Sequence, residues 1–247
     1  NPYNMVASSK KFSNPDTYEF SLAVYTTFNG GETWTESAPL KLLDGWAGVS
    51  DTALAWDVSQ SSSSSKIKNS TDPQTGDVTV CTTTKTTINN LVYLVALPFA
   101  PDDGPIIGIA IYQSTDGGIT WSSPKLIHKS VDFAHNRVDD KQWAIGDYNP
   151  LSPYFGNVYA VWDDGPGVGF SKLAFARTVD HGKKWIGLKE KDAGSDMPGI
   201  EDSGAPEISV ASNGSIYIVW LGNNSRDVQF VKSVDGGDNL YDPVVVA

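Results

Sequence analysis

The feature that most constrains the fold of this chain is an eight-residue turn pattern that occurs four times. Its form is Ser/Thr-x-Asp-x-Gly-x-x-Trp, with Asn for Asp in the first copy and Leu for Trp in the last. Four copies in register are not a chance match, so the sequence predicts one structural unit repeated along the chain. The copies span 27–34, 114–121, 178–185 and 233–240.

The sequence around each turn has the alternation of β-strands. A short alternating strand precedes each turn, a Tyr-centred strand and a third strand lie further upstream, and a fourth strand follows the turn. The fourth strand often carries Pro, which suits an outer edge where one row of N–H groups is unpaired. Four short strands per repeat predict an all-β fold, a β-propeller with four-stranded blades, of which four blade repeats are visible.

The spacing of the turns indicates an insertion. The Asp or Asn positions are 87, 64 and 55 residues apart, and the long first interval contains a Ser/Thr-rich insertion at 60–90, within the second blade. Its composition favours a solvated loop. The alternative is a projecting hairpin, because residues 72–76 have turn chemistry.

We expect the whole chain, 1–247, to form a single but incomplete propeller domain. Residues 1–26 precede the first turn, which leaves room for two strands but not for the innermost strand of the first blade.

The turns and their flanking strands resemble the sialidase-like Asp-box (BNR repeat) β-propeller superfamily over nearly the whole chain. The resemblance implies that these four blades are part of a six-bladed sialidase-like propeller. It also implies that the boxes are structural: their polar side chains bond the turn, and their Trp packs between blades. In the family the boxes lie on the face opposite the active site. The structural box positions are Asn29, Asp116, Asp180 and Asp235, with Trp34, Trp121 and Trp185.

An intact sialidase site is not expected, because the family clamps the substrate carboxylate with three arginines. The chain has Arg137, Arg177 and Arg226 and no Arg-Ile-Pro segment. Arg177 directly precedes a box, which is the wrong end of its blade. The ligand-binding candidates are therefore Trp46, Arg137 and Arg226, whereas the strand residues Trp143, Trp162 and Trp220 are expected in the core.

The face opposite the boxes is rich in carboxylates, and three interpretations remain open. The first is ordinary solvated charge, and the second is a Ca²⁺ site with Asp139 and Asp140 as candidate ligands. The third is a pair of acids for glycoside hydrolysis, about 5–10 Å apart. A loop with His128, His135, Asp132 and Asp139 is a further candidate metal site. The catalytic candidates are Asp51, Asp140, Glu201 and Asp202.

The formal charge of −11 argues against binding to nucleic acid or anionic membranes, and no apolar run is long enough for a membrane helix. Cys81 is the only cysteine, so the fold depends on packing without an intrachain disulfide. Asn69, Asn213 and Asn223 begin N-x-Ser/Thr triplets and are glycosylation candidates.

Together these features predict a secreted or cell-surface glycoprotein that recognises glycans, with catalysis left open. One alternative is a structural or self-assembling module whose incomplete blade is completed by another protein chain. The other is a glycoside hydrolase with its site on the face opposite the boxes.

Overall fold

The computed structural model describes residues 3–17, 19–71, 74–75, 78–101, 106–130, 138–165, 172–201, 203–222 and 226–247. These residues form fifteen strands in four antiparallel sheets and one 3-10 turn at Leu188–Glu190, which confirms the all-β prediction. No helix in the described ranges is long and apolar enough to cross a membrane.

The four sheets follow one another along the chain, and we call them blades 1 to 4. Blade 1 contains β1 (Met5–Asn14), β2 (Glu19–Thr27) and β3 (Thr35–Glu36). Blade 2 contains β4 (Gly48–Thr71), β5 (Val78–Phe99), β6 (Gly108–Ser114) and β7 (Lys125–Lys129). Blade 3 contains β8 (Val138–Gly146), β9 (Val158–Gly165), β10 (Lys172–Thr178) and β11 (Ser195–Asp196). Blade 4 contains β12 (Gly204–Val210), β13 (Ile216–Gly222), β14 (Asp227–Ser233) and β15 (Val244–Val245).

Each blade is a meander in which every strand pairs with the next one along the chain. The predicted turns join the last two strands of each blade, so the first strand of blades 2 to 4 is the innermost. Blade 1 has three strands among the described residues, and β1 occupies the position of a second strand. This matches the short segment available ahead of the first turn.

The core lies between neighbouring blades. The second strands are central in their sheets and covered on both faces, and all eight residues of β9 are buried. Trp162 and Trp220 are 0% and 2% exposed, as expected for core residues. Trp162 packs in the cluster between blades 2 and 3, and Trp220 in the cluster between blades 3 and 4.

The four turns share one hydrogen-bond pattern, and we call them the repeat turns. In each turn the first hydroxyl accepts a bond from the fifth residue's N–H, at 2.8 to 3.1 Å. The Asp or Asn oxygen accepts a bond from the seventh residue's N–H, at 2.9 to 3.0 Å. At Asp116 partial burial raises the pKa, but the bonds from Thr120, Ser114 and Ile119 outweigh it, so the pKa lies below its usual value. These carboxylates are engaged within their own turns.

The Trp residues of the repeat turns differ in burial. Trp185 is 7% exposed and packs edge-on against Tyr93 of the preceding blade, with ring centroids 5.9 Å apart. Trp121 packs in the same way against the cluster between blades 1 and 2. Trp34 is 44% exposed, in contrast to the expectation that it packs between blades. The reason is that each Trp contacts the blade before its own, and no described blade precedes blade 1.

The insertion at 60–90 is a two-stranded ribbon, so the loop prediction was wrong and the hairpin alternative describes it. β4 and β5 pair from Gly48–Phe99 as far as Thr71–Val78, whereas β6 accompanies β5 only along Val92–Ala96. The polar composition suggested a loop, but the β-branched Thr, Val and Ile residues of β5 favour extended backbone. The ribbon joins an innermost strand to a second strand, so it leaves the propeller on the same face as the repeat turns.

Candidate functional site

The face opposite the repeat turns is formed where the innermost strands begin. β4, β8 and β12 each have a β-bulge near their first residues. At each bulge one non-glycine residue has positive φ: Asp51 at 35°, Lys141 at 54° and Ala205 at 52°. A bulge redirects the side chains around it, and left-handed backbone at non-glycine residues concentrates at functional sites. Three equivalent bulges therefore mark this face as the candidate site.

Hydrogen bonds and charges link the bulges to one another and to blade 3. The side-chain amide of Gln142 donates to the backbone oxygen of Asp51, which joins β8 to β4. The N–H of Ala205 donates to a carboxylate oxygen of Asp163 at 3.1 Å, which joins β12 to β9. The hydrogen bond and charge of Asp140 raise the pKa of Lys141 above its usual value, and Asp51 and Asp163 add to this effect. Lys141 thus lies among three carboxyl groups, and Lys10 is the ion-pair partner of Asp51.

Asp163 is the most perturbed of these carboxyls. It is 1% exposed, and one of its oxygens has no hydrogen-bond partner among the described residues. Burial, with a smaller contribution from the charge of Asp140, its partner in the β8–β9 register, raises its pKa to about 7, although the N–H of Ala205 and the charge of Lys141 offset part of the rise. Asp163 therefore exchanges its proton near neutral pH, beside a half-exposed Asp140.

A groove of about 360 Å³ runs between β4 and β8, lined by residues 52–56, residues 143–146 and Tyr148. Trp143 is 47% exposed and Tyr148 is 63% exposed. The expectation that Trp143 is a core residue was therefore wrong. β4 and β8 approach so closely that a Cβ on Gly146 would lie 1.6 Å from the backbone oxygen of Trp56, and only small side chains fit on that side. Trp143 lies on the other side of β8 and lines the groove, whereas Ile145 on that side packs against the core between blades 3 and 4.

Two of the four catalytic candidates lie at the bulges. Asp51 and Asp140 lie at the bulges, with side chains 51% and 37% exposed and lysine partners at 3.0 and 3.1 Å. Glu201 is exposed in the segment ahead of β12. Asp202 lies outside the described residues.

The ligand-binding candidates do not form a cluster. Trp46 is half-buried and packs against the core between blades 1 and 2. Arg226 is exposed next to β14, and Arg137 lies outside the described residues. Arg177 is buried and donates to the backbone of Gly236 and to Asp238 in the fourth repeat turn, so it lies on the opposite face.

The predicted pair of metal ligands, Asp139 and Asp140, is separated by strand alternation. Asp139 is fully buried beside His128, whereas Asp140 pairs with Lys141 towards the solvent. The described group that could hold a metal is His128, Asp139 and Asp164. Asp132 and His135 lie outside the described residues.

Two of the three glycosylation candidates lie on the repeat-turn side. Asn69 lies in the ribbon part of β4. Asn213 is exposed in the turn between β12 and β13, where its side-chain oxygen accepts a bond from the N–H of Ser215 at 3.0 Å. Asn223 lies outside the described residues.

No family model and no curated protein matches this chain, but solved structures do. The chain is similar to a Hadza microbial sialidase, Hz136, with 13% identity and a TM-score of 0.57, over 98% of this chain and 44% of that one. It is similar to a Trypanosoma rangeli sialidase solved with the inhibitor DANA, with 13% identity and a TM-score of 0.56, over 97% of this chain and 36% of that one. It is also similar to the NanB sialidase of Streptococcus pneumoniae, with 11% identity and a TM-score of 0.55, over 99% of this chain and 50% of that one. The chain thus has a sialidase-like propeller fold and spans half or less of the length of these proteins.

Proposed function

We propose that this chain is a secreted or cell-surface sialidase-like propeller that binds carbohydrate in the groove between β4 and β8. In this proposal the repeat turns are the Asp boxes of the BNR superfamily, and the site lies away from them. The observation that carries it is the exposed Trp143 beside the bulge at Asp140 and Lys141. Aromatic rings with a few convergent polar groups are the usual lining of a small-molecule site.

The charges of the site favour a neutral or basic sugar over sialic acid. Asp51 and Asp140 offer acceptors for sugar hydroxyls or an amino group, and their charges would repel a ligand carboxylate. Of the arginines in the described ranges, Arg177 is engaged in the fourth repeat turn and Arg226 alone lies on this face. A clamp of three arginines is therefore not formed by the described residues.

Glycan-array screening followed by titration calorimetry with the best neutral or amino sugar tests the proposal. We expect Trp143→Ala to weaken binding about fivefold, because an aromatic stacking contact contributes roughly 1 kcal/mol. Trp34→Ala is the matched control, since Trp34 is 44% exposed on the repeat-turn face, and it should bind as the wild type does. Equal losses in both variants, or a preference for sialylated glycans, would contradict the proposal.

A second candidate function is glycoside hydrolysis, favoured by the state of Asp163. A carboxyl with a pKa of about 7 opposite a half-exposed carboxylate, Asp140, resembles the division between acid and base in glycosidases.

A panel of fluorogenic neutral glycosides measures this activity. Turnover should fall as the pH rises through about 7, because the acid form of Asp163 is lost. Asp140→Asn should abolish turnover, whereas Asp242→Asn, at an exposed position near the end of the chain, should leave it unchanged. If no glycoside is hydrolysed while Trp143-dependent binding persists, the chain is a lectin-like propeller.

A further inference from the structure

A second group of ionisable side chains lies at the seam between blades 2 and 3 and does not line the groove. His128 comes from β7, Asp139 from β8 and Asp164 from β9, and one ligand atom from each lies within 4.8 Å of the others. Asp139 is 0% exposed and Asp164 is 7% exposed, and the His128 side chain is 13% exposed. Three different strands thus deliver an imidazole and two carboxyl groups to one buried position.

The two carboxyl groups face each other, because Asp139 and Asp164 are direct partners in the β8–β9 register. Like charges in opposed cross-strand positions are destabilising, and burial increases the cost. Asp139 accepts hydrogen bonds from Ser130 and from the indole N–H of Trp162, the latter at 2.8 Å. These donors are neutral, so they orient Asp139 without balancing the charge of the pair.

His128 supplies the second, independent observation. Its Nε2 lies 3.5 Å from Asp139, is shielded from solvent and has no hydrogen-bond partner in the described part of the chain. A neutral imidazole nitrogen beside buried carboxylates can serve as a metal ligand.

The His128 ring is held in place by its packing. Gly194 has φ of 82°, and a Cβ there would lie 2.2 Å from Nδ1 of His128. On another side the Trp162 ring lies with its centroid 5.5 Å from that of His128. Any side chain at position 194 would displace the imidazole, so this glycine provides the space that the ring occupies. Fixed ligand orientation is what metal sites require of their surroundings.

We propose that His128, Asp139 and Asp164 bind a divalent transition-metal ion, Zn²⁺ in the first place. A mixed imidazole and carboxylate set suits zinc, whereas Ca²⁺ and Mg²⁺ take oxygen ligands. Ligands about 2.1 Å from a tetrahedral ion are about 3.4 Å apart, so the three atoms, which lie within 4.8 Å of one another, draw together by up to about 1.4 Å when the ion binds. The bound ion joins the outer strand of blade 2 to the inner strands of blade 3 and has a fourth position for water.

Titration calorimetry with ZnCl₂ on EDTA-treated full-length protein measures the affinity and stoichiometry. The wild type should bind one equivalent and melt at a higher temperature with the metal. His128→Gln and Asp164→Asn should each weaken binding by more than about 100-fold, because even the loss of a residue that only orients a metal ligand costs 10- to 100-fold in metal affinity. Asp140→Asn, which alters the next carboxyl of β8 on its opposite side, should leave the affinity unchanged.

Cobalt substitution separates ligand loss from misfolding. Co²⁺ bound to the wild type and to Asp140→Asn should give the strong visible bands of low-coordinate cobalt, and His128→Gln should lose them. Far-UV circular dichroism of each metal-free variant reports whether the fold is retained. The proposal is overturned if the wild type shows no saturable Zn²⁺ binding, or if Asp140→Asn and Asp164→Asn lose binding equally.

Discussion

At the scale of single residues, the third repeat turn differs from the others in a way that links two blades. His181 has φ of 61° at the position that Gly30, Gly117 and Gly236 occupy in the other turns. Its Nδ1 lies 2.9 Å from a carboxylate oxygen of Asp57. Asp57 is fully buried and lies in β4, the innermost strand of blade 2, just before the ribbon. Tyr93 donates to the same oxygen at 3.3 Å. Burial raises the pKa of Asp57 above its usual value, and His181 and Tyr93 offset part of this rise.

We therefore expect His181→Gly to destabilise the protein at pH 7 by about 1–2 kcal/mol. Relief of the left-handed backbone contributes about 1 kcal/mol, but losing a hydrogen bond to a charged group costs about 2–3 kcal/mol. Urea unfolding measures the difference. The loss should shrink at acid pH, because Asp57 with its raised pKa takes up a proton and the contact then no longer involves a carboxylate charge.

A double-mutant cycle supplies the control. In an Asp57→Asn background, His181→Gly should stabilise the protein, because only the backbone effect remains. Destabilisation of the same size in both backgrounds would show that the contact with Asp57 is not the cause.

At the scale of elements, β1 is the edge strand of blade 1 at the position where the other three blades have a further, innermost strand. Nine of its ten residues pair with β2 on one side, and no described strand pairs with the other. Ser8 contacts Thr52 of β4 at 2.6 Å, which holds β1 beside blade 2 without a backbone ladder. An open edge of this length is a template for another strand, which favours the self-associating alternative for this chain.

Light scattering at increasing protein concentration tests whether the edge is used, and we expect the molar mass to rise above that of one chain. Backbone N–H groups of successive residues point to opposite edges of a strand, and proline has no N–H. One of the two variants Ala7→Pro and Ser8→Pro therefore removes a hydrogen bond between β1 and β2. The other variant changes only the open edge of β1. The variant that keeps the wild-type melting temperature should remain monomeric. A wild type that is monomeric at every concentration would contradict the expectation.

At the scale of the whole molecule, the repeat pattern predicted the four blades and their strand order. It could not predict the groove, because Trp143 and Trp162 lie in strands that look alike in sequence. The difference is spatial: Ala144 and Gly146 face the tight contact with β4, and Trp143 faces the other way. The bulges at Asp51, Lys141 and Ala205 could not be predicted from the sequence either, because a bulge is a property of the pairing between two strands. Asp139 and Asp164 are 25 residues apart, and only the register of β8 and β9 brings them together.

The ribbon of blade 2 extends far beyond the sheet from which it arises. Residues 58–71 of β4 continue beyond the body of the sheet, which at about 3.3 Å per residue is roughly 45 Å of extended chain. The ribbon leaves on the repeat-turn face, at the opposite end of the inner strands from the bulges at Asp51, Lys141 and Ala205. A propeller that holds a glycan-coated surface against the face with the bulges would therefore point the ribbon away from that surface.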